Sequence, residues 1–268
     1  MKPISVWQDI QRIRAEAPLV HNITNYVVMN TTANALLAIG ASPVMAHAIE
    51  EMAEMTGLAG SLVINIGTLS APWVEAMLAA GKTARQRGIP VVLDPVGCGA
   101  TQFRTTTAQK LIEAIKPVVI RGNASEIRAL LHAGQATKGV DSLCTPDEVE
   151  EDARTLSRSA ECVVVVSGAV DLIVAGDRVA KVANGHSMMT RVTGMGCTAS
   201  AIAGAFVAIN PSPFMAAVHA MATMGIAGEI AAERSKGPGS LQLNFLDILY
   251  GLQEQDLSQR LRVEAPDS

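Results

Sequence analysis

Short apolar runs and longer helical patterns alternate along most of the chain. The apolar runs are rich in Val and Ile and are bounded by Gly, Pro, Asn or Asp, which is typical of strands buried on both faces. They cover residues 43–46, 62–66, 91–93, 118–120 and 162–166. Apolar residues recur at helical spacing over residues 27–39, 72–87, 107–116, 125–131 and 146–159. This alternation predicts an α/β protein in which a mostly parallel sheet lies between two layers of helices.

The pattern changes after residue 166. Residues 171–174 and 179–182 flank a Gly-Asp pair, which indicates a β-hairpin. Three helices are predicted at 197–209, 213–234 and 240–253, and the polar tail from Glu254 is expected to fray. No repeat, low-complexity linker or change of composition divides the sequence. A single domain over residues 1–268 is therefore predicted.

Composition narrows the classes of function. Apolar residues make up 49% of the chain and aromatic residues only 3%, so the core must be built from aliphatic side chains and Met. The formal net charge is −4, and Lys and Arg do not cluster. A nucleic-acid-binding surface needs such a cluster, so no nucleic-acid partner is expected.

The apolar pattern also gives no sign of export or of a membrane. The first 11 residues lack a signal-peptide run, and no uninterrupted apolar stretch has membrane-spanning length. The most apolar region, residues 197–209, is too short. The cysteines form no C-x-x-C pair, which argues against zinc and fits a reducing compartment; they are Cys98, Cys144, Cys162 and Cys197. A cytoplasmic protein is expected.

Ligands of open α/β sheets bind beyond the carboxyl ends of the strands. In this chain polar or glycine-rich segments follow four of the predicted strands. They are residues 65–68, 94–97, 121–123 and 167–168. We expect these segments to meet at one edge of the sheet.

The most specific single motif is Thr-Gly-Met-Gly-Cys-Thr-Ala at residues 193–199, which leads into an Ala-rich helix. Its glycines let the backbone approach an anion, and the free N–H groups of the helix start favour a phosphate there. The alternative is an ordinary glycine-flanked helix start. A dinucleotide fingerprint fails because no acidic residue occurs from Arg178 through Gly228. No P-loop is present either, so any phosphate must be bound by another loop.

Charged residues near the predicted sheet edge offer further chemistry. Asp94 follows a buried strand and is placed to hold magnesium, although an Asp-Pro turn explains it equally well. Arg121 can meet a phosphate through two hydrogen bonds. Glu126 can orient metal-bound water, or it can complete a capping box with Asn123. Ser167 either donates its hydroxyl to a nucleotide or turns the chain.

A polar segment, His-Asn-Ile-Thr-Asn, covers residues 21–25 and is read as a link between a short apolar pair and the next helix. Its last residue, Asn25, either caps that helix or binds a polar small molecule.

Six segments taken together resemble the motif series of the hydroxyethylthiazole kinases. They are residues 21–25, 40–45, 65–68, 93–97, 121–126 and 193–197, and the similarity extends to about Ser240. The resemblance implies a ribokinase-like α/β fold. It also implies ATP- and Mg²⁺-dependent phosphorylation of the hydroxyl group of 4-methyl-5-(2-hydroxyethyl)thiazole, in thiamine biosynthesis and salvage.

The resemblance further implies roles for individual residues. Arg121 and Ser167 match positions that contact ATP, and Asp94 and Glu126 match the acidic positions linked to magnesium. Substrate contacts are implied for Met45, Gly194, Asn25, Val27, Gly67 and Thr68. The family forms trimers with thiazole sites at subunit contacts, so a homotrimer is expected here.

Related sugar and vitamin kinases carry an Asp as general base at the position of Cys197. A cysteine at a helix start can have a lowered pKa, which would allow a thiolate. Phosphoryl transfer, however, depends mainly on positioning and charge stabilisation. The hypothesis is that Cys197 positions the hydroxyl and assists weakly, while backbone N–H groups near Gly194 and Gly196 stabilise the transferring phosphoryl group.

Other readings stay open at this point. A pyrimidine or sugar kinase of the same fold would carry the Asp that Cys197 replaces. A non-catalytic nucleotide sensor would keep the anion site without an acceptor pocket. A dehydrogenase of the Rossmann type is weakened by the missing ribose-binding acid.

Overall fold

The computed structural model describes residues 3–132 and 145–265, so Cys144 lies outside the described residues. Within them, one nine-stranded sheet has the order β2-β1-β3-β4-β5-β6-β7-β8-β9. Strands β1 to β6 are parallel, and the last three are antiparallel to their neighbours. The strands are β1 Leu19–Ile23, β2 Ser42–Val44, β3 Ser61–Asn65, β4 Val91–Asp94, β5 Val119–Asn123, β6 Val163–Ser167, β7 Asp171–Ala175, β8 Arg178–Val182 and β9 Val263–Glu264.

Helices cover both faces of this sheet. One layer contains α3 Met52–Leu58, α4 Ala71–Arg87, α5 Gln102–Ile115, α6 Ala124–Leu131 and α7 Pro146–Ala160. The other contains α1 Pro3–Glu16, α2 Met29–Ile39, α8 Met195–Ile209, α9 Pro213–Glu233, α10 Pro238–Gly251 and α11 Glu254–Arg260. The structure thus has the predicted three-layer α/β/α architecture.

Alternation along the strands explains why two helix layers are needed. In β3, Val63 belongs to the core shared with α8, whereas Leu62 and Ile64 belong to the core on the opposite face. The same switch separates Val92 from its neighbours in β4. Because successive strand side chains point to opposite faces, an all-apolar strand is stable only when both faces are covered.

The polar segment at residues 21–25 was predicted as a link, and this is wrong for its first three residues. They belong to β1, an inner strand whose residues from Val20 to Ile23 are buried. The imidazole of His21 lies between Thr56 Oγ1 (3.1 Å) and the carbonyl oxygen of Ala46 (2.9 Å). Internal partners therefore let a polar residue occupy a buried strand.

The prediction of a frayed tail after Glu254 is also wrong. Helix α11 buries Leu257 completely, and β9 extends the sheet by pairing with β8. The guanidinium of Arg262 donates a hydrogen bond to the carbonyl of Ala183 (2.9 Å, from Nη2). The tail is polar because it lies on the surface, yet one apolar anchor and long-range hydrogen bonds hold it in place.

Helix α9, predicted over residues 213–234, is by length and composition apolar enough to cross a membrane. In the fold, 89% of its 18-residue apolar window is buried inside the protein. It lies in the core beside α8 and α10. Its apolarity is therefore that of a buried core helix.

Candidate active site

The four polar strand ends meet at one edge of the sheet, as predicted. The register places Asn65 at the end of β3 beside Asp94 at the end of β4. In the same way Asn123 at the end of β5 lies beside Ser167 at the end of β6. Parallel strands with aligned ends deliver these side chains to a common site.

A cavity of about 590 Å³ opens at this edge. Four residues expected at the site line it: Arg121, Ser167, Gly194 and Gly196. Gly168, Met195 and Ala199 of the predicted segments also line it, as do Ala169 and Asp171. The part of the wall that the sequence did not predict comes from the segment before α8 and from α9. It includes Asn184, Gly185, His186, Ser187, Met189, Thr190, Met221, Met224 and Gly225. An Asn-Gly pair in a polar segment was the one local signal that could have pointed to this wall.

Helix α8 begins against the cavity with a glycine on each side of Met195. Gly194 is the N-cap, with φ of 82° in the left-handed region, and it provides no side-chain cap. The first-turn N–H groups therefore remain available for an anion. A Cβ on Gly194 would lie 2.6 Å from Val28 Cγ1, and one on Gly196 would lie 2.7 Å from Arg121 Nη1. Gly194 needs to be glycine because of its left-handed φ and this close contact, whereas a side chain at Gly196 would displace the guanidinium of Arg121.

Arg121 lies between this helix start and β6. Its Nη2 donates a hydrogen bond to Ser167 Oγ (2.5 Å). Its Nε is buried and has no hydrogen-bond partner among the described residues. A buried, unpaired donor of a cation at a cavity wall is suited to an anionic ligand.

Asp94 is the buried acid of the site, with 1% of its surface exposed. Its Oδ2 accepts hydrogen bonds from Asn65 Nδ2 (2.9 Å) and Ser200 Oγ (2.7 Å). Burial raises the pKa of Asp94 to about 6, although the Arg121 charge lowers it and Glu126 raises it further. The ionised carboxylate is thus costly in the free protein, and a bound cation would stabilise it.

Glu126 forms a capping box with Asn123, which is one of the two roles predicted for it. Its Oε2 accepts from the N–H of Asn123 (2.9 Å), and Asn123 Oδ1 accepts from the N–H of Glu126 (2.9 Å). The other oxygen, Oε1, accepts from the N–H of Gly97 (2.8 Å) in the loop that follows Asp94. Glu126 therefore fixes the start of α6 against the loop that carries Asp94.

The residues expected to contact the second substrate form a hydrogen-bonded cluster. Asn25 Oδ1 accepts from the N–H of Val27 (3.1 Å), and Thr68 Oγ1 accepts from the N–H of Tyr26 (3.2 Å). Gly67 packs so closely on Asn25 that a Cβ there would lie 2.6 Å from Asn25 Nδ2. Asn25 does not cap α2, since that helix begins at Met29 with Val28 as its N-cap.

Met45 follows β2 and is half-buried. Its neighbour Ala46 is anchored by the imidazole of His21, whose pKa is lowered mainly by burial. The neutral ring must donate from Nε2, because a carbonyl oxygen can only accept. The segment that carries Met45 is therefore tied to the inner strand β1.

Cys197 lies in the first turn of α8, between the cavity and the Asn25 cluster. Asn25 Nδ2 lies 3.5 Å from its Sγ. Burial raises the pKa of this thiol to about 11, and the nearby Asp94 charge raises it further, whereas Asn65, Asn25 and Arg121 lower it. The thiolate that a helix start can allow is therefore not favoured here, because desolvation and a like charge outweigh the helix start.

Glu229, a buried residue of α9, holds the part of the cavity wall formed by Asn184 and Gly185. Its Oε1 accepts from the N–H of Gly185 (2.8 Å) and from Asn184 Nδ2 (3.1 Å). Arg262 of the C-terminal tail donates a short hydrogen bond to the same oxygen. One carboxylate thus joins the cavity wall, the core helix and the tail.

Comparison with known proteins agrees with this geometry. The profile of the hydroxyethylthiazole kinase family matches residues 10–255. The chain is 57% identical over 264 residues to the hydroxyethylthiazole kinase of Syntrophus aciditrophicus, and covers 98% of each sequence. It is 55% identical over 261 residues to that of Nitratidesulfovibrio vulgaris, covering 97% of this chain and 98% of the relative.

Solved structures give the same result. The hydroxyethylthiazole kinase of Pyrococcus horikoshii superposes with a TM-score of 0.91 at 44% identity, over 98% of this chain and all of that one. A ribokinase-like superfamily protein of Enterococcus faecalis superposes with a TM-score of 0.64 at 14% identity, over 90% of this chain and 88% of that one, and shows the fold alone. The fold is the expected ribokinase-like one, and the chain belongs to the hydroxyethylthiazole kinase family.

Proposed function

We propose that this protein transfers the γ-phosphoryl group of ATP to the hydroxyl of 4-methyl-5-(2-hydroxyethyl)thiazole, in thiamine biosynthesis and salvage. The observation that carries the proposal is the position of the α8 start. Its glycines line the cavity on one side, and Cys197 in the same turn contacts the Asn25 cluster on the other. A phosphoryl donor and an alcohol acceptor can thus meet at one helix N-terminus.

ATP would occupy the 590 Å³ cavity with its phosphates at the α8 start. Arg121 would balance phosphate charge, and Ser167 would keep its guanidinium in place through the 2.5 Å hydrogen bond. The backbone N–H groups near Gly194 and Gly196 point at the anion from a fixed position. Donors that need no reorganisation stabilise charge that builds up on the transferring oxygens.

The acidic residues fit a magnesium ion. Both hydrogen bonds to Asp94 fall on Oδ2, and none from the described residues reaches Oδ1. Mg²⁺ usually takes one or two carboxylates together with phosphates, and Asp94 and Glu126 would supply that number. A bound Mg²⁺ would supply positive charge that offsets the charge of the phosphates. Asp94 would face it, and Glu126 would act on it through the Gly97 loop or through water.

The acceptor would lie over the Asn25 cluster. Gly67, Thr68 and Val27 present backbone groups and small side chains there, and Met45 and Gly194 complete the list of expected contacts. Cys197, with its pKa of about 11, is a neutral thiol at pH 7. It would orient the acceptor hydroxyl for in-line attack and would not remove its proton.

We further propose a cytoplasmic homotrimer whose subunits are single domains of residues 1–268, with acceptor sites at subunit contacts. Support comes from two apolar side chains next to the acceptor cluster. Tyr26 is 65% exposed and Val27 is 63% exposed. Exposed apolar groups beside a site are suited to burial against a neighbouring subunit.

The decisive experiment is ADP release by the purified protein with ATP, Mg²⁺ and hydroxyethylthiazole, against reactions that lack the acceptor or the metal. We expect release only in the complete reaction, with a phosphorylated thiazole identified by mass spectrometry. ATP binding without acceptor-dependent turnover would refute the proposal. Turnover with a sugar or pyrimidine alcohol in preference to the thiazole would move the protein to another substrate class.

A further inference from the structure

Asn65 has no role in the mechanism proposed above, yet its side chain joins the Asn25 cluster to Asp94. It ends β3 and is 1% exposed. Its Oδ1 accepts hydrogen bonds from Asn25 Nδ2 (2.9 Å) and from the N–H of Gly67 (2.9 Å). Its Nδ2 donates to Asp94 Oδ2 (2.9 Å), and its side chain also lowers the pKa of the neighbouring Cys197 thiol. One side chain therefore touches the acceptor cluster, the acidic residue and the thiol.

The orientation of this amide is determined by its partners. A carboxamide has two acceptor positions on its oxygen and two N–H donors. An ionised carboxylate can only accept, so the nitrogen of Asn65 must face Asp94, and its oxygen must face the N–H of Gly67. Both acceptor positions and one N–H donor are then occupied. A buried amide held by these three partners has one favoured arrangement, because a flip would set its oxygen against the carboxylate and its N–H groups against other donors.

We propose that Asn65 is a positioning residue that aligns the acceptor-binding segments with the carboxylate of Asp94. It does not touch the reacting atoms. It acts through Asn25 and Gly67 on one side and through Asp94 and Cys197 on the other. The inference rests on the proposed function for the identity of the acceptor, while the coupling of the segments rests on the hydrogen bonds alone.

Asn22 provides a matched comparison on the neighbouring strand. It is also 1% exposed, and the register places it beside Val63, two residues before Asn65. Its Nδ2 donates to the carbonyl of Val20 in its own strand (2.9 Å), and its Oδ1 is without a partner among the described residues. Burial of an asparagine in this sheet is thus separate from a role in the site.

The kinetic test compares Asn65→Leu with Asn22→Leu. For Asn65→Leu we expect the KM for the thiazole to rise roughly 10- to 100-fold, the scale of losses when supporting hydrogen bonds of a site are removed. The KM for ATP should stay at its wild-type value, and kcat should fall because Asp94 and Cys197 lose a donor. Asn22→Leu should leave all three constants unchanged. Equal changes in both variants, or an unchanged KM for the thiazole in Asn65→Leu, would overturn the proposal.

A second measurement does not depend on the acceptor. Amide hydrogen exchange of the ligand-free protein should speed up at residues 24–28 and 66–69 in Asn65→Leu, because the N–H of Gly67 loses its acceptor and Asn25 loses its anchor. The same segments should match wild type in Asn22→Leu. If wild type does not phosphorylate the thiazole, the proposed function fails, yet exchange still decides the role of Asn65. Unchanged exchange at both segments would refute it.

Asn65→Ser is the milder substitution, to be used for both measurements if Asn65→Leu does not fold. A serine hydroxyl can keep one of the three hydrogen bonds. We expect smaller changes in the same direction. The KM for the thiazole and the exchange rate at residues 66–69 should rise more than the KM for ATP. A variant with wild-type values in both measurements would overturn the proposal.

Discussion

The two halves of the site are built in different ways. On the acceptor side, short polar side chains at neighbouring strand ends bind one another, so that Asn25, Asn65 and Asp94 form a continuous buried network. On the nucleotide side, an open cavity is lined by glycines, one arginine and a loop held by the distant Glu229. The acceptor side is held by hydrogen bonds between the buried side chains of the site itself. The wall of the nucleotide side is held by residues that lie behind the cavity.

This difference suggests how each half fails. In a buried network each hydrogen bond depends on its neighbours, so a substitution there should change both the KM for the acceptor and kcat. A cavity wall held from behind can shift without disturbing the strand ends, so its loss should appear mainly as weaker nucleotide binding. Substitutions that separate the KM for the thiazole from the KM for ATP therefore test the comparison directly.

The largest effect is expected at Asp94, where the halves meet. Asp94→Asn keeps the shape but removes the charge, and we expect kcat/KM to fall by roughly 10²- to 10³-fold, the scale for loss of a preorganised electrostatic group. Steady-state kinetics at saturating Mg²⁺ will measure this. Activity within about threefold of wild type would exclude Asp94 from the metal site, since that loss is under 1 kcal/mol.

Stability supplies the control for this variant. The pKa of Asp94 is about 6 in the folded protein against 3.8 for the ordinary residue. Between these values the native state binds more protons than the unfolded state, so this group makes wild type less stable as pH rises from about 4 to 6. Asp94→Asn lacks that contribution. Denaturation at pH 8 should find the variant at least as stable as wild type, which would separate lost activity from lost fold.

A pair of glycine substitutions should divide the two halves. In Gly196→Ala the new Cβ displaces the Arg121 guanidinium from Ser167, and in Gly67→Ala it displaces the side chain of Asn25. We expect roughly 10- to 100-fold losses in kcat/KM for both, since small misplacements cost on that order. The first should raise the KM for ATP and the second the KM for the thiazole. Identical kinetic profiles would contradict the division.

The acceptor side was largely predictable from sequence because its signals are local. Asn65 and Asp94 directly follow apolar runs, and parallel strands bring such ends together whatever the rest of the fold does. The role of β1 was missed because His21 and Asn22 look like loop residues until their internal partners are seen.

The nucleotide wall was not predictable for the opposite reason. Asn184 is held by Glu229 and by the backbone of Arg260, which are 45 and 76 residues away in sequence. No periodicity or motif reports such pairings. The protonation state of Cys197 was likewise left open by the sequence, because the helix start is visible there whereas burial beside Asp94 is not.

A smaller effect is expected where the nucleotide wall is held. Glu229→Ala leaves the N–H of Gly185 without its acceptor and leaves Asn184 Nδ2 with the carbonyl of Arg260 alone. We expect the KM for ATP to rise by about tenfold, with the KM for the thiazole unchanged. Glu233→Ala is the matched control on the same helix. Its carboxylate binds Arg260 at 2.6 Å but is 58% exposed and does not touch the wall. Similar constants for the two variants would show that the wall does not need this support.

The smallest effect is expected at Cys197, the residue that lies between the two halves. A thiol with a pKa of about 11 is protonated at neutral pH, so it cannot remove a proton from the acceptor. Cys197→Ala should therefore lower kcat by less than about tenfold. A loss beyond about a hundredfold would show that Cys197 is a general base, because that is where such contributions begin. Cys197→Asp should keep or raise kcat, since burial beside Asp94 would lift the pKa of the new carboxyl towards that of a useful base.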